Sequence, residues 1–521
     1  MPKAKSGGHG SNLTCGSAQI NESVLSSPTK FEWTIIVFGA LLRVTQFLAN
    51  RSLWLDEAKL ALNIVNRSFV QLLKPLDYGQ GAPIGFLMLE RSALHLFGSG
   101  EYALRLFPFL AGLISLLLFY QLAKQSVPTG AVPIALGLFA TSAPLIYYSS
   151  EVKQYSGDVA IALVLWSAAM YYASCRLTWG RVVLFGILGA VSVWFSHPAT
   201  FVLAGIGISL VLFCRPEDRW ERARKLSITF SIWGLSLGAC YLLFLRHLSA
   251  DQFLLSYWNF SFPPSHLFSV AGVEWFATTF FAIFRDPVGL ELSGVAAFAF
   301  LVGCIAMVSG KRQTLAILIF PLLVTLLAAS VHKYPFNGRL LLFAVPAFLI
   351  PIAEGVEYIR CQTSVQAPAV GACLIGVLFF YPLLFSSYHL FKPSLREEIK
   401  PVLNYFQSHA REGDVLYIHS DAIAAFQYYA PRLHLSNVPL IQGLSSGNPE
   451  ISGGMYESDV DRLRGHKRVW LVLAPGESEA GDNEKKLFLY FMDKEGTTLD
   501  SFQRVGAAVY LYDFDRSRHG S

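Results

Sequence analysis

Long runs of apolar residues, separated by short polar segments, dominate the chain. An α-helix needs about 20 apolar residues to cross the ~30 Å hydrocarbon core of a bilayer, and residues 31–49, 226–245 and 370–390 each meet this length. The pattern predicts eleven transmembrane helices, at residues 31–49, 103–122, 131–148, 155–172, 182–196, 199–213, 226–245, 289–308, 315–331, 340–356 and 370–390.

The composition excludes an ordinary soluble domain. Of the 521 residues, 53% are hydrophobic and only 15% are charged, and the mean hydropathy is +0.44, whereas soluble domains carry about 25% charged residues. The net charge of +5 is divided between loops on the two sides of the membrane, so no nucleic-acid partner is predicted. We therefore expect a mainly α, polytopic protein of the cell inner or plasma membrane.

The charged loops predict the orientation of the spans. Residues 1–30 are polar and are expected to form a disordered cytoplasmic tail, with the first span as the insertion signal. This places Lys124, the basic run 215–225, residues 311–312 and Arg360 in the cytoplasm, as the positive-inside rule requires. The opposite orientation would put the dense basic run outside.

Three outer segments are then long enough to carry a site, namely residues 50–102, 246–291 and 391–521. Within the second, residues 269–284 are predicted to form an interfacial helix, because Glu274 interrupts an apolar stretch of marginal length. If that stretch spans the membrane, the topology downstream of it is reversed.

Residues 391–521 follow the transmembrane domain of residues 31–390 and predict a small extracytoplasmic α/β domain, since helical and extended patterns alternate. No G-x-G-x-x-G loop follows a predicted strand, so a nucleotide site is not expected. The predicted helices are residues 399–409, 422–430, 458–464 and 484–493, and the predicted strands are residues 414–419, residues 468–474 and further strands ending at residue 512.

Asp56 and Glu57 are adjacent carboxylates a few residues beyond the first span. One interpretation is that Asp56 caps an amphipathic helix over residues 57–65, with both acids near its positive N-terminal end. The other is that a carboxylate base lies beside the lipid headgroups, and a capping role does not exclude it.

Asp77, Gln80 and Arg105 flank a second surface helix that follows a glycine- and proline-rich break at residues 79–83. Each is a candidate for substrate binding. The alternative for Asp77 is a turn residue, and for Arg105 a side chain that reaches back to the interface.

Glu151, Tyr155 and Asp158 have the spacing i, i+4, i+7 and are expected to share one helical face at the outer start of the fourth span. A helical face with these polar side chains costs free energy against lipid, whereas it is favourable beside a polar cavity. Lys153 lies off that face and is either an interfacial anchor or a point charge for a phosphate.

His197 and Arg339 also lie at outer turns. A single histidine is more often a packing residue than a ligand, whereas a guanidinium at headgroup depth offers two parallel donors to a phosphate. No H-E-x-x-H or paired Cys/His spacing is present in the sequence, so neither a metal nor a cofactor is predicted.

Together these short motifs resemble the GT-C glycosyltransferases, with protein O-mannosyltransferases and lipid A aminoarabinose transferases (glycosyltransferase family 39-like) as the most similar branches. The motifs are W-x-D-E at residues 54–57, P-x-x-F at 83–86, F-G-x-x-E-x-x-x-R-L at 97–106, E-x-K-x-Y at 151–155, and the outer Arg339 before a proline-containing span.

The resemblance implies a polyprenyl-phosphate sugar as donor, an extracytoplasmic active site, and Asp56 as the catalytic carboxylate with Glu57 as its companion. It assigns Lys153 to the basic position of the third motif. The lysine that aminoarabinose transferases carry before the second surface helix is missing here, where residues 82–84 read Ala-Pro-Ile. The lipid phosphate is therefore expected to bind Arg105, Lys153 or Arg339.

The expected reaction is an inverting transfer of a sugar to an acceptor hydroxyl on a glycan, lipid or protein. The sugar is left open between a hexose, a pentose and an amino sugar. A transporter or flippase of lipid-linked sugars is the alternative class, although no internal repeat is evident, and an inactive receptor is a third. The candidate substrate-binding residues are Asp77, Gln80, Arg105, Glu151, Lys153, Tyr155, Asp158, His197 and Arg339.

Overall fold

A computed structural model describes residues 27–175, 178–213, 219–248, 251–444, 452–476 and 479–514. The expected cytoplasmic tail lies outside these residues except for its last four positions, and residues 215–218 of the basic run lie outside them as well.

The helices are α1 Lys30–Leu48, α2 Leu55–Asn66, α3 Ile84–Phe97, α4 Glu101–Leu104, α5 Leu106–Ser126, α6 Val132–Thr141, α7 Ala143–Tyr148, α8 Tyr155–Ser174, α9 Trp179–Phe195, α10 Ala199–Leu212, α11 Arg219–Cys240, α12 Arg246–Leu248, α13 Gln252–Tyr257, α14 Val270–Arg285, α15 Ser293–Gly310, α16 Arg312–Ser330, α17 Val345–Thr363, α18 Pro368–Phe391, α19 Ile399–His409, α20 Ile423–Tyr429, α21 Ser452–Leu463 and α22 Glu479–Glu495.

Every predicted apolar run coincides with one or two helical elements of this integral membrane protein. Eight helical stretches of the described chain are long and apolar enough to cross a bilayer, and α6, α9 and α10 are shorter apolar helices. The mainly helical fold class is confirmed, and the number of eleven crossings stays a prediction.

The run over residues 131–148 is not one helix but two, because the chain breaks at Ser142 before Pro144. Arg43, inside α1, donates from its guanidinium to the carbonyls of Phe139 (3.5 Å) and Ala140 (3.2 Å) at the end of α6. These carbonyls have no helical partner where the helix stops, so this buried arginine stabilises the break instead of pairing with an acid.

Helix α17 is the centre of the bundle and packs most closely on α15. Gly303 of α15 and Gly355 of α17 lie at their contact, where a Cβ on either residue would overlap the backbone of the other helix. Small residues at this contact let the two backbones approach, as is usual between membrane helices.

Charged residues mark the two ends of the bundle. Lys311 pairs with Glu354 at 2.9 Å and Arg360 pairs with Glu357 at 2.7 Å, where α15 and α17 end; we call this the basic end. Asp56 lies at the opposite end, where the 3₁₀ turn Gly338–Ala344 leads into α17. The predicted interfacial helix is α14, and its non-crossing placement stays a prediction.

The C-terminal region forms a five-stranded mixed sheet, with β1 Val415–Ile418, β2 Leu440–Gln442, β3 Arg468–Leu473, β4 Thr497–Arg504 and β5 Ala507–Asp513. The order is β2-β1-β3-β5-β4. Strand β1 is parallel to β2 and β3, whereas β5 is antiparallel to β3 and β4. The predicted α/β domain is therefore present, and the sequence analysis missed only the three-residue β2.

This domain shares a hydrophobic core with the first outer segment. Leu53, Leu60 and Phe86 of that segment belong to the same buried cluster as Leu403 and Tyr429 of the domain. The domain is thereby fixed directly over the start of α2, which carries Asp56.

Candidate active site

Helix α2 directs its two adjacent carboxylates to different environments. Residues next to each other on a helix are rotated by about 100°, and as a result the Glu57 side chain is completely buried while that of Asp56 is 17% exposed. The capping interpretation of Asp56 is wrong: the helix begins at Leu55, so Asp56 lies in its first turn and not at the N-cap.

Glu57 is the centre of a buried ionic network. Arg105 donates from Nη2 to both of its oxygens, at 3.0 and 2.9 Å, and Arg51 donates to Oε2 at 2.7 Å. The backbone N–H of Val152 donates to Oε1 at 2.8 Å. Burial alone would raise the pKa of Glu57, but the two arginines and these hydrogen bonds outweigh it and hold the pKa below its ordinary value. Glu57 thereby ties the first outer segment to the turn before α8.

Asp56 contacts two cations. Its Oδ1 accepts a hydrogen bond from Lys153 Nζ at 2.9 Å, and its Oδ2 lies 2.9 Å from Arg339 Nη2. Burial acts to raise its pKa, but the charges of Lys153 and Arg339 and a hydrogen bond from Gln80 prevail and lower the pKa to about 2. Asp56 is thus ionised, and its negative charge is balanced by side chains that come from distant parts of the sequence.

Gln80 completes this arrangement, because its Oε1 accepts from Lys153 Nζ at 2.7 Å. An ammonium has three donors, and Asp56 and Gln80 take two of those on Lys153. One donor is left for a further group.

Aromatic rings surround Arg339. Its guanidinium carbon lies 5.4 Å from the ring centre of Trp54, 5.9 Å from Tyr155 and 5.7 Å from Trp258. Cation–π contacts at such distances orient an arginine without neutralising its charge. Tyr155 therefore lies at this site, and so does Trp258, which the sequence analysis did not single out.

Glu151 lies next to the site but not on the expected helical face. Helix α8 begins only at Tyr155, so Glu151 belongs to the preceding turn, where its Oε1 accepts from Trp54 Nε1 at 3.1 Å. Burial, and next the charge of Glu57, raise the pKa of Glu151. The Glu151 carboxylate thus anchors the Trp54 ring.

Two predicted binding residues point elsewhere. Arg105 is buried, with its donors directed to Glu57 and to the carbonyls of Arg51 and Ser52, so it has no free face for a phosphate and that expectation does not fit the structure. The Asp77 side chain is 68% exposed and pairs with Arg67 at 2.7 Å. It matches the turn alternative.

Asp158 and His197 lie in other surroundings, in the first turn of α8 and at the turn between α9 and α10. Asp158 lies beside Ser196 and has one oxygen without a partner among the described residues. Burial lowers the pKa of His197 to about 4, so this ring is neutral. In the described part of the chain no hydrogen bond or ion pair joins either residue to Asp56.

The sequence analysis missed three charged residues at the site. Arg51 lies four residues before the start of α2, and its proximity in the sequence to two acids was an available signal. Arg396 and Glu397 come from the C-terminal region, about 340 positions from Asp56, and only the fold brings them to Trp54 and Leu55. Among the described residues, no group of three or more His, Cys, Asp or Glu side chains could hold a metal ion.

No protein-family model and no curated protein matches the sequence. Solved structures do match it. ArnT from Cupriavidus metallidurans bound to undecaprenyl phosphate has a TM-score of 0.52 at 12% identity, over 93% of this chain and 98% of ArnT. The Archaeoglobus fulgidus oligosaccharyltransferase in complex with zinc and sulfate also has a TM-score of 0.52 at 12% identity, over 92% of this chain and 73% of that one.

Both of these structures are GT-C glycosyltransferases. The similarity extends over nearly the whole of this chain, including the C-terminal domain. The chain therefore has the GT-C fold that its short motifs indicate.

Proposed function

We propose that this protein is an inverting glycosyltransferase that moves a sugar from a polyprenyl-phosphate donor to an acceptor hydroxyl at the extracytoplasmic face of the membrane. The observation that carries the proposal is the contact of the partly exposed Asp56 carboxylate with Lys153 and Arg339 at one end of a GT-C fold. A base beside two cations is the set of groups that this reaction requires.

In the proposed reaction the acceptor oxygen attacks C1 of the sugar while the bond from C1 to the phosphate oxygen breaks. Asp56 takes the acceptor proton, and the electron pair of the broken bond leaves with the lipid phosphate. A single displacement of this kind inverts the anomeric centre. The products are the glycosylated acceptor and polyprenyl phosphate.

Lys153 and Arg339 are proposed to stabilise the negative charge on the departing phosphate. Lys153 has one ammonium donor beyond those directed to Asp56 and Gln80, and the Nε of Arg339 has no hydrogen-bond partner among the described residues. Charge-assisted hydrogen bonds from such groups are about twice as strong as neutral ones.

The low pKa of Asp56 makes donor binding the step that activates the base. A carboxylate with a pKa of about 2 is a poor proton acceptor. A donor phosphate competes with Asp56 for Lys153 and Arg339, so its arrival raises the proton affinity of Asp56. The base is therefore strongest when the donor is present.

The aromatic side chains near Arg339 fit the proposal in a second way. Trp54, Tyr155 and Trp258 present apolar rings around the cation, and such rings can pack on the apolar face of a sugar. The similar ArnT structure, which is bound to undecaprenyl phosphate, supports a lipid-phosphate donor.

A transporter of lipid-linked sugars would place charged groups near the bilayer midplane. In the described part of this chain, the ion pairs of the helical bundle lie at its two ends, around Asp56 and at the basic end. This distribution supports an enzyme.

The test is transfer by the purified chain in detergent, with a panel of undecaprenyl-phosphate-linked pentoses and hexoses and a crude glycan and lipid acceptor fraction. We expect undecaprenyl phosphate to be released with at least one donor and the new glycosidic bond to have inverted configuration. The competing result is movement of an intact fluorescent donor across proteoliposomes without any release of undecaprenyl phosphate. That result would identify a transporter.

A further inference from the structure

We infer that Arg396, from the C-terminal region, is a third phosphate-binding cation of the active site. The inference rests on the proposed function and extends it, because it makes the C-terminal domain part of the donor site. The ligand chemistry is a phosphate ester carried by a lipid.

Arg396 lies at the same tryptophan as Arg339. Its guanidinium carbon is 3.8 Å from the ring centre of Trp54, and that of Arg339 is 5.4 Å from it. Within the described residues, the Arg396 guanidinium forms no hydrogen bond and no ion pair, and the residue is only partly buried. Its five donors are therefore available to a ligand.

Three cations, Lys153, Arg339 and Arg396, share this part of the site. Arg339 lies close enough to repel Arg396, and the acids close enough to attract it are Glu151, Asp286 and Glu397, whose pKa values burial raises. Asp56 is shared between Lys153 and Arg339. Like charges in a partly buried site repel each other strongly, and an anion that lies between the guanidinium groups relieves this repulsion.

The segment that carries Arg396 is fixed on both sides of it. Gln46 and Ser394 exchange two hydrogen bonds, of 2.8 and 2.9 Å. The Glu397 carboxylate accepts from the N–H of Leu55 at 2.8 Å, and that of Glu398 accepts from the N–H of Ser52 at 3.0 Å. A cation held in place before the ligand arrives loses little entropy on binding.

A purely structural role for Arg396 is the competing explanation, since an arginine stacked on an indole can stabilise a domain contact. The two roles predict different effects on lipid binding when Arg396 is replaced. A structural anchor affects the binding of every lipid equally, whereas a phosphate ligand affects only lipids that carry phosphate.

The experiment measures binding of undecaprenyl phosphate, undecaprenol and inorganic phosphate to the full chain in detergent. The proteins are wild type, Arg396→Gln, Arg396→Lys and Arg411→Gln, an exposed arginine of the same domain. We expect Arg396→Gln to weaken binding of undecaprenyl phosphate by about 10- to 100-fold and to leave binding of undecaprenol unchanged. Arg396→Lys should bind with intermediate affinity, and Arg411→Gln should match wild type.

Two results would overturn the inference while the proposed function stands: undecaprenyl phosphate binding that is unchanged in Arg396→Gln, or an equal loss for undecaprenyl phosphate and undecaprenol. If Arg396→Gln does not fold, Arg396→Lys decides between the roles by the ratio of the two affinities. Wild-type protein that binds inorganic phosphate but not the lipid would refute both this inference and the proposed donor.

Discussion

Asp56 and Glu57 differ by one methylene, and the side on which each leaves α2 decides what it can do. Glu57 makes hydrogen bonds to Arg51, Arg105 and Val152 and has no contact with solvent. Asp56 is partly exposed and pairs with two cations for which an anionic ligand can compete. The structure therefore separates a positioning acid from a candidate base, which the sequence presented as a pair.

Replacing Asp56 by Asn removes the proton acceptor and keeps the size of the side chain. We expect transfer to fall by roughly 10²–10⁴-fold, the usual contribution of a general base. Donor binding should be retained or tightened, because Lys153 and Arg339 no longer pair with a carboxylate. The measurements are turnover and undecaprenyl phosphate affinity of the purified variant.

The matched control is Asp77→Asn, which changes the exposed carboxylate of the same outer segment and should leave turnover unchanged. Near-normal transfer by the Asp56 variant would exclude it as the base and make Glu151, the buried acid that accepts a hydrogen bond from Trp54, the next candidate.

Replacing Glu57 by Gln should act on stability. Breaking a buried ion pair by removing one partner costs about 3–5 kcal/mol, because the remaining charges are left buried. Here Arg51 and Arg105 both lose their counterion. We expect a large fall in the thermal unfolding midpoint in detergent, beyond that of Asp56→Asn. Equal midpoints for the two variants would contradict the network that the structure shows.

At the scale of elements, α2 depends on a residue far away in sequence. Its N-cap residue Trp54 provides no side-chain cap, and the N–H of Leu55 donates instead to Glu397 at 2.8 Å. Burial raises the pKa of Glu397 to about 7, well above its ordinary value. The element that carries the candidate base is thus anchored by a titratable group of the C-terminal domain.

This arrangement predicts a pH dependence of stability. Because the folded-state pKa of Glu397 is raised, folding favours its protonated form, and the resulting stability is fully present below the unfolded-state pKa and is lost as pH rises through about 7. Glu397→Gln stays neutral, so its unfolding free energy should decline less than that of wild type between pH 5 and pH 8, by about 1–3 kcal/mol.

The readout is the thermal midpoint across that pH range, with Glu412→Gln as the control, because Glu412 is an exposed glutamate of the same domain. Identical pH profiles for wild type and Glu397→Gln would show that Glu397 is ionised in the folded protein across this range.

The elements themselves were largely predictable from the sequence, since apolar runs of span length and alternating patterns determine them locally. The helix at residues 399–409 has the predicted bounds. Other features depend on contacts. The carbonyls at the break near Pro144 accept hydrogen bonds from Arg43 of another helix, and the three-residue β2 has too few positions to show a pattern. Within the site, Lys153 and Arg339 were identified singly, but only folding shows that both contact Asp56.

At the scale of the whole molecule, the C-terminal domain and the first outer segment share a hydrophobic core. The two parts must therefore lie on the same side of the membrane. Tyr429 and Leu403 are buried together with Leu53, and Lys400 pairs with Glu101 at 2.8 Å. The domain and Asp56 must therefore lie on the same side of the membrane, whichever side that is.

Positive charge at the basic end favours an extracytoplasmic location for both, because Lys311 and Arg360 lie where α15 and α17 end, opposite to Asp56. We expect protease added to sealed right-side-out vesicles to cleave the chain after residue 391.

A second measurement adds undecaprenyl phosphate before the protease. The lipid should slow cleavage, because Arg396 and Glu397 join the domain to the donor site. An epitope tag after residue 521 serves as reporter, and a cytoplasmic marker protein that stays intact proves that the vesicles are sealed. Cleavage that requires opened vesicles would reverse the orientation and place the donor site, together with the domain, in the cytoplasm.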